Sequence, residues 1–279
     1  MQLKTLFSIC LILSISGFAA TLAQTVPGGD GRDHVTVPGE KTDEQRYKEM
    51  VRRNESSLSE PRPKREDRVI RKGLLAPSTL DVNAYRAFLD QKDTGLIRLL
   101  PREVYDWQTY HTPKRLNMRG GGAYYSFLYL THEYGYASDL SLDHRTLSVR
   151  LAGYEYGMLS NLSDVPLEEI GINHPAVAFM LTYEPPRSEP EARCEALRFR
   201  KGVKVDSGFY KSDLPVQVNR TYLLRSVHYG DPDILVAFRV VRQDTDGSMI
   251  IAWKLLKQYE PRKEQRVLYV KPIRECPPN

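Results

Sequence analysis

Two acid–histidine pairs are the residues of this sequence whose types and spacing best suit chemistry. His132–Glu133 and Asp143–His144 fall in one stretch, "RGGGAYYSFLYLTHEYGYASDLSLDH". Imidazole and carboxylate groups serve as general acids and bases, and they also bind metal ions. The four side chains are therefore candidate catalytic residues of a hydrolase, provided that the fold brings them together.

The distance between the two pairs depends on the chain that joins them. If 136–142 is a strand, the pairs occupy successive turns of a meander and lie roughly 20 Å apart, at about 3.3 Å per residue. If this segment is an irregular loop, its flanking strands form one wide hairpin and all four side chains meet at its mouth. Polar and apolar residues alternate along 138–142, and Gly135 and Asp143 bracket the segment. The pattern favours the strand, and with it two separated pairs.

The other site motifs are incomplete. HExxH needs a second histidine, but Tyr136 occupies its position. Glycines 120–122 precede an apolar strand-like run, whereas a phosphate-binding loop needs a helix there, so they predict a tight or flexible turn. "DTDG" at 244–247 lacks the carboxylates that a calcium loop has at its first and last positions. The sequence therefore predicts no cofactor and no metal site.

Tyrosines are concentrated in the middle of the chain. Most are expected to pack on strands, where aromatic residues are common. Those outside predicted strands, together with a nearby arginine, are candidates for an exposed amphipathic surface that binds a glycan or a protein. These candidate binding residues are Tyr105, Trp107, Tyr110, Arg119 and Tyr134.

The amino terminus has the parts of a secretory signal peptide. One lysine precedes an apolar run from Leu6 to Ala20, and small residues follow, ending at Ala23 before a predicted cut. The run is shorter than the roughly 20 residues that span a bilayer, which disfavours the alternative of a membrane anchor. Residues 1–23 are therefore predicted to be removed, leaving a secreted or periplasmic chain with no transmembrane span.

Removal of this segment leaves two cysteines, Cys194 and Cys276. In an oxidising compartment such a pair most simply forms a disulfide bond. Neither residue has the CxxC spacing of a redox or zinc site. The alternatives are two free thiols or one catalytic thiol.

Residues 24–74 are predicted to form a disordered linker. Between 24 and 72 the chain has 12 Lys or Arg and 10 Asp or Glu, with few large apolar residues to offset the entropy of ordering. Because the charge is nearly balanced, the linker does not resemble a basic nucleic-acid-binding arm. No nucleic-acid partner is expected, and residues 75–279 are predicted to form one β-rich domain.

Period-two alternation dominates that domain. The segments 220–229, 234–242 and 248–259 alternate and are joined by Asp/Gly turns, which predicts a three-stranded antiparallel meander. A short amino-terminal helix is predicted after Ser78, a helix of one or two turns near 165–170, and an apolar strand from Ala176. The predicted fold class is mainly β, with antiparallel strands in a sandwich, an open barrel or a twisted sheet.

These patterns lead to two functional hypotheses. The first is an exported binding, accessory or envelope-associated protein. The alternative is an exported hydrolase that uses His132, Glu133, Asp143 and His144. Convergence of those four side chains in a cleft would favour the enzyme, and exposure of the aromatic candidates in one surface would favour binding.

Overall fold

The computed structural model describes residues 73–106, 116, 118–132, 134–135, 138–149, 155–262 and 276. The predicted signal peptide, residues 24–72 of the predicted linker, and the candidate residues Trp107, Tyr110 and Glu133 lie outside the described residues. Leu74, at the end of the predicted linker, and Leu75 pack against a small buried cluster around Leu100 and Tyr105.

The centre of the fold is a five-stranded antiparallel sheet. Its strands, in spatial order, are β1 (Thr94–Leu99), β11 (Met249–Gln258), β10 (Ile234–Gln243), β9 (Arg220–Val227) and β5 (Tyr156–Asn161). The pairing of β9, β10 and β11 confirms the predicted meander, because Phe238 lies opposite Tyr222 on one side and Trp253 on the other.

A second antiparallel sheet packs on one face of the first. It contains β2 (Tyr124–Tyr125), β3 (Leu140–Asp143), β4 (Thr146–Ser148) and β8 (Asp213–Pro215), in that order. Apolar side chains of both sheets share one buried cluster, in which Phe127 and Leu142 meet Phe238 and Trp253 of the central sheet. A third, two-stranded sheet joins β6 (Val203–Val205) to β7 (Gly208–Tyr210). The predicted mainly β class with antiparallel strands is confirmed. Among the described strands, neither of the larger sheets closes into a barrel, and the two pack face to face as a sandwich.

The helices are short, and several cover the opposite face of the central sheet. They are α1 (Thr79–Ala84), α2 (Arg86–Leu89), α3 (Arg102–Tyr105), α4 (Ala178–Thr182) and α5 (Glu189–Lys201). Phe88, Met180 and Phe199 enter a second buried cluster with the side chains on that face. Both faces of the central sheet are therefore covered, which explains the apolar residues on both sides of β10 and β11. No described helix is long and apolar enough to cross a membrane.

Two helix predictions are confirmed in their location. Ser78 caps α1 in a capping box with Asp81, in which each side chain bonds the other residue's backbone N–H. Leu167–Glu169 forms a 3-10 turn inside the predicted 165–170 segment.

The strand predicted from Ala176 is wrong, because Pro175–Val177 forms a 3-10 turn that leads into α4. The His174 imidazole accepts a hydrogen bond from the Ala176 N–H and starts the turn. Val177 and Met180 are buried three residues apart, which is helical spacing. A short apolar run suits either a strand or a buried helix, and packing decided between them.

Helix α5 was not predicted, although it is the longest described. Its sequence carries the expected end signals: Ser188 caps it by accepting from the Glu191 N–H, and Gly202 follows it with a positive φ. Cys194 on this helix lies at disulfide distance from Cys276, with 5.5 Å between their Cα atoms. The predicted pairing therefore agrees with the fold.

Candidate functional site

His132, the described residue of the first acid–histidine pair, is held by its neighbours. The His132 ring lies edge-on to Tyr125, 4.9 Å between centroids, and Nε2 donates to the Arg98 carbonyl at 3.0 Å. Burial lowers the pKa of His132 to about 4, so its imidazole is neutral near pH 7. His132 thus fastens the β2–β3 connection to the edge of β1.

The second pair lies at the other end of β3. His144 and Arg145 are the two central residues of the β3–β4 turn, and both have positive φ (44° and 58°), as a type I′ hairpin turn requires. The Asp143 carboxylate is 3.7 Å from the His144 imidazole, and the His144 side chain is 77% exposed. Among the described residues, no hydrogen bond or ion pair joins His132 to Asp143 or His144.

Two residues of α3 complete a polar group around this turn. The His144 N–H donates to Glu103 Oε2 at 3.0 Å, and the Arg102 guanidinium is 3.8 Å from the Asp143 carboxylate. One ligand-type atom each of Glu103, Asp143 and His144 lies within 4.8 Å of the others. The structure therefore extends the predicted pair by two charged residues, Arg102 and Glu103, that no sequence pattern indicated.

Tyrosine rings lie directly beside this group. Tyr124 and Tyr134 meet edge to face, 4.7 Å between centroids, and the Arg119 guanidinium lies 4.4 Å above the Tyr134 ring. Burial raises the pKa of Tyr124, while the nearby Arg102 opposes that rise and Asp143 adds to it. Tyr124 thus links the aromatic and charged residues into one surface. We call it the tyrosine–arginine patch: Arg102, Glu103, Arg119, Tyr124, Tyr134, Asp143 and His144.

The glycine triplet packs beneath the tyrosine rings of this patch. Of the two predicted possibilities, a tight or a flexible turn, the structure has the tight turn. Arg119–Gly122 is a 3-10 turn in which the three glycines have φ of 76°, 58° and 77°. A Cβ on Gly120 would lie 2.5 Å from the Tyr124 ring and 3.3 Å from Tyr134 Cβ. A Cβ on Gly121 would lie 2.3 Å from the Asp106 backbone nitrogen. Glycine is needed there for the close approach and for its freedom at positive φ.

The predicted place of Tyr105 in an exposed surface does not hold. Tyr105 is only 3% exposed, and its hydroxyl donates to Asp246. Burial, assisted by that carboxylate, raises the pKa of Tyr105 to about 12. Of the predicted binding residues, the structure therefore brings Arg119 and Tyr134 together.

A second polar centre, which no sequence pattern indicated, is buried around His228. Its Nε2 is 2.9 Å from Asp139 Oδ1 and 2.9 Å from Ser226 Oγ, and its Nδ1 is 3.5 Å from Glu155 Oε2. Its backbone N–H donates to Asp233 at 2.8 Å. Burial lowers the pKa of His228, but Asp139 and Glu155 outweigh it and raise that pKa to about 10. The imidazole is thus charged at neutral pH, between two carboxylates.

The same centre holds a buried arginine. Arg225 donates to Asp233 at 3.0 Å, and its guanidinium lies 3.3 Å above the Tyr259 ring. Burial lowers the pKa of Arg225 and raises that of Asp233. Arg262 also contacts the Asp233 carboxylate, at 3.0 Å. These ion pairs fasten the chain after β11 to the loop before β10.

This centre is closed to any substrate of a serine hydrolase. A catalytic histidine turns one nitrogen to the serine and the other to the orienting carboxylate. Here Nε2 contacts both Ser226 and Asp139 and Nδ1 lies 3.5 Å from Glu155, but Ser226 and Asp139 are fully buried, so the serine is out of a substrate's reach. No local motif could have revealed the cluster, since Asp139 and His228 are 89 residues apart.

Comparison of the chain with family models, with curated proteins and with solved structures found no match.

Proposed function

We propose that this chain is an exported binding or accessory protein of the secreted or periplasmic space, and that it binds a glycan through the tyrosine–arginine patch. The observation that carries this proposal is the convergence of Arg119, Tyr134 and Tyr124 with Asp143 and His144 on one surface. These residues come from separate segments, and each lies partly or largely open to solvent.

The chemistry of the patch suits a sugar. Tyrosine rings offer flat apolar surface beside a polar hydroxyl, which matches a sugar ring with its C–H face and its hydroxyl groups. Arg102 supplies donors, and the carboxylates of Glu103 and Asp143 supply acceptors. A protein partner is the other candidate, because tyrosine and arginine also dominate the energetics of protein interfaces.

Three features argue against a hydrolase as the leading proposal. His132 is half-buried, and its Nε2 is engaged by a backbone carbonyl. The His228 centre is closed to solvent. Asp143 and His144 lie on an exposed turn, whereas catalytic electrostatics gains most where water is excluded.

An exported hydrolase remains the second proposal, and one observation favours it. Glu103, Asp143 and His144 bring acid–base groups within 4.8 Å of one another. In the sequence-based form of this proposal, His132 and Glu133 would assist them.

Export is supported by the signal-peptide pattern at the amino terminus. It is tested by fractionating the producing cells and sequencing the amino terminus of the recovered protein. A mature chain that begins at Gln24, outside the cytoplasm, is the expected result. An intact amino terminus in the cytoplasmic fraction would contradict it.

Binding is tested on a glycan array with the full mature chain. We expect the wild type to bind at least one glycan. Tyr134→Ala and Arg119→Ala should each bind that glycan with an affinity at least tenfold lower. Phe209→Ala is the matched control, because Phe209 is an aromatic of similar exposure (50%, against 41% for Tyr134) on the β6–β7 hairpin, outside the patch. Equal binding by all variants would refute the patch. Cleavage of a bound glycan that is abolished by Glu103→Gln would favour the hydrolase.

A further inference from the structure

A second surface lies at the tip of the hairpin that connects β2 to β3. Ser126 and Thr131 form an antiparallel bridge, and the four residues between them make the tip. Tyr129 and Leu130 at this tip are 53% and 63% exposed. Two consecutive large side chains therefore expose more than half of their surface to solvent.

The tip is held in a costly backbone conformation. Leu130 has a φ of 55°, in the left-handed region that a branched apolar residue rarely adopts. Such conformations persist only where the surrounding structure enforces them, and they concentrate at functional sites.

Hydrogen bonds hold the tip from both sides. On the inside, the Phe127 N–H donates to Asp139 Oδ2 at 2.8 Å, and the buried Phe127 ring packs 5.3 Å from Trp253. On the outside, the Tyr129 hydroxyl donates to Asp231 at 2.8 Å. The hydrogen bond from the Tyr129 N–H to Ser126 Oγ, 3.2 Å, closes the turn.

The inner and outer hydrogen bonds of the tip are connected through the His228 centre. Asp139, which holds Phe127, also binds the His228 imidazole, and the His228 N–H donates to Asp233. Asp233 and Asp231 belong to the same loop before β10. The buried pair Asp139–His228 thus fixes the hairpin tip relative to the loop that carries Asp231.

We propose that Tyr129 and Leu130 dock into an apolar pocket of a second protein, and that Asp139 and His228 are positioning residues that keep this tip ready to bind. A preorganised loop avoids paying its ordering entropy at the moment of binding. This surface shares no residue with the tyrosine–arginine patch, and the proposal does not depend on glycan binding.

The size and charge of the tip decide the kind of partner. A tyrosine buries roughly 150–250 Å², so two side chains supply less than the roughly 800 Å² per partner of a standard interface. A flat contact between two copies of this chain is therefore disfavoured, and a concave pocket that encloses the tip is favoured. Asp231 beside Tyr129 disfavours an anionic lipid surface and suits a pocket with a basic residue at its rim.

Docking is tested by placing a photo-crosslinking amino acid at position 130 in the full chain, in the producing organism. The same amino acid at position 209 is the control. We expect one protein to be crosslinked from position 130 alone. Purified, it should bind the wild type at least tenfold more tightly than it binds Leu130→Asp, with Phe209→Ala unchanged.

Several outcomes would overturn the docking proposal. The absence of any crosslinked product specific to position 130 would overturn it. A crosslink within this chain, or to a second copy of it, would also overturn it. Co-sedimentation with vesicles of phosphatidylcholine and phosphatidylglycerol (7:3), lost in Leu130→Asp, would replace the protein pocket with a lipid surface.

The positioning role is tested by hydrogen exchange of the peptide that contains the tip. Asp139→Asn should speed amide exchange at 127–131 tenfold or more and weaken the complex, whereas Leu130→Asp should weaken the complex alone. If Asp139→Asn does not fold, Asp231→Ala removes the outer support and should act in the same direction. Unchanged exchange in the folded variant would refute positioning.

Discussion

The carboxylate of Asp139 and the imidazole of His228 face each other at 2.9 Å, and neither side chain is exposed to solvent by more than 2%. One residue precedes β3 in the outer sheet, and the other follows β9 in the central sheet. A charged pair is thus sealed between the two layers of the sandwich. Ions are costly to bury, so the pair persists because each charge compensates the other.

Replacement of His228 by glutamine should destabilise the fold strongly. Asp139 and Glu155 would lose their counter-charge, and breaking a buried pair typically costs about 3–5 kcal/mol. The free energy of unfolding, measured in urea, should fall by about that amount. His144→Gln is the control, because its exposed side chain should change stability by no more than about 0.5 kcal/mol. Equal small losses in both variants would contradict the role of the pair.

Stability should decline on the alkaline side of neutrality. His228 has a folded-state pKa raised to about 10, above its ordinary value of 6.5. Its stabilising contribution is therefore complete below pH 6.5 and is lost as pH rises toward 10. We expect the unfolding free energy to fall with pH by up to about 1.4 kcal/mol per unit in this window. The slope should be smaller in His228→Gln, and an equal slope in both proteins would reject this assignment.

The loss of stability at acid pH should depend on a different histidine, His132. The pKa of His132 is lowered to about 4 by burial, so between pH 6.5 and 4 only the unfolded chain takes up this proton. The contribution of neutral His132 is present above pH 6.5 and is lost as pH falls toward 4. In urea titrations across this range, His132→Gln should lose less stability than the wild type. The opposite result would mean that the ring is protonated in the folded protein.

Gly121→Ala should strongly destabilise the fold, although it adds only one methyl group. The new methyl group would meet the Asp106 backbone nitrogen at 2.3 Å and would sit on a residue with a φ of 58°. Backbone strain of this kind typically costs about 1–3 kcal/mol before the clash is added. Gly171→Ala is the matched control, because nothing lies within 4 Å of its new Cβ and its φ is not positive. Thermal unfolding should separate the two variants, and similar melting temperatures would refute the close approach.

The cysteine pair should be recovered as one crosslinked peptide. Non-reducing mass mapping is expected to join Cys194 to Cys276, and recovery of both as free thiols would contradict the pairing. Closure of a loop with a sequence separation of 82 is worth roughly 4 kcal/mol in the loop-entropy model. The double Cys→Ser variant should therefore unfold at a lower urea concentration than the oxidised wild type.

The parts of the fold that follow local periodicity could be predicted, and the parts that depend on partners distant in sequence could not. Alternation along Ile234–Gln243 and Met249–Gln258 marked the strands, because each has one face on the core between the sheets. The run at Ala178–Thr182 carries the same apolar composition, yet it packs as a helix against the other face. Helix α5 was missed although Ser188 and Glu191 carry its start signal, because its polar sequence has little apolar periodicity.

The sequence by itself determined the repeating strands of the meander and the turn at the glycine triplet, since each follows from residue type and local spacing. It also indicated Cys194 and Cys276 as a candidate pair, because removal of the predicted signal peptide leaves these two cysteines. Only the tertiary structure decided which polar residues meet. It separated His132 from Asp143, buried Tyr105, and joined Asp139 to His228 across 89 residues. Local spacing carries no information about such pairs, because the two layers of the sandwich place them in contact.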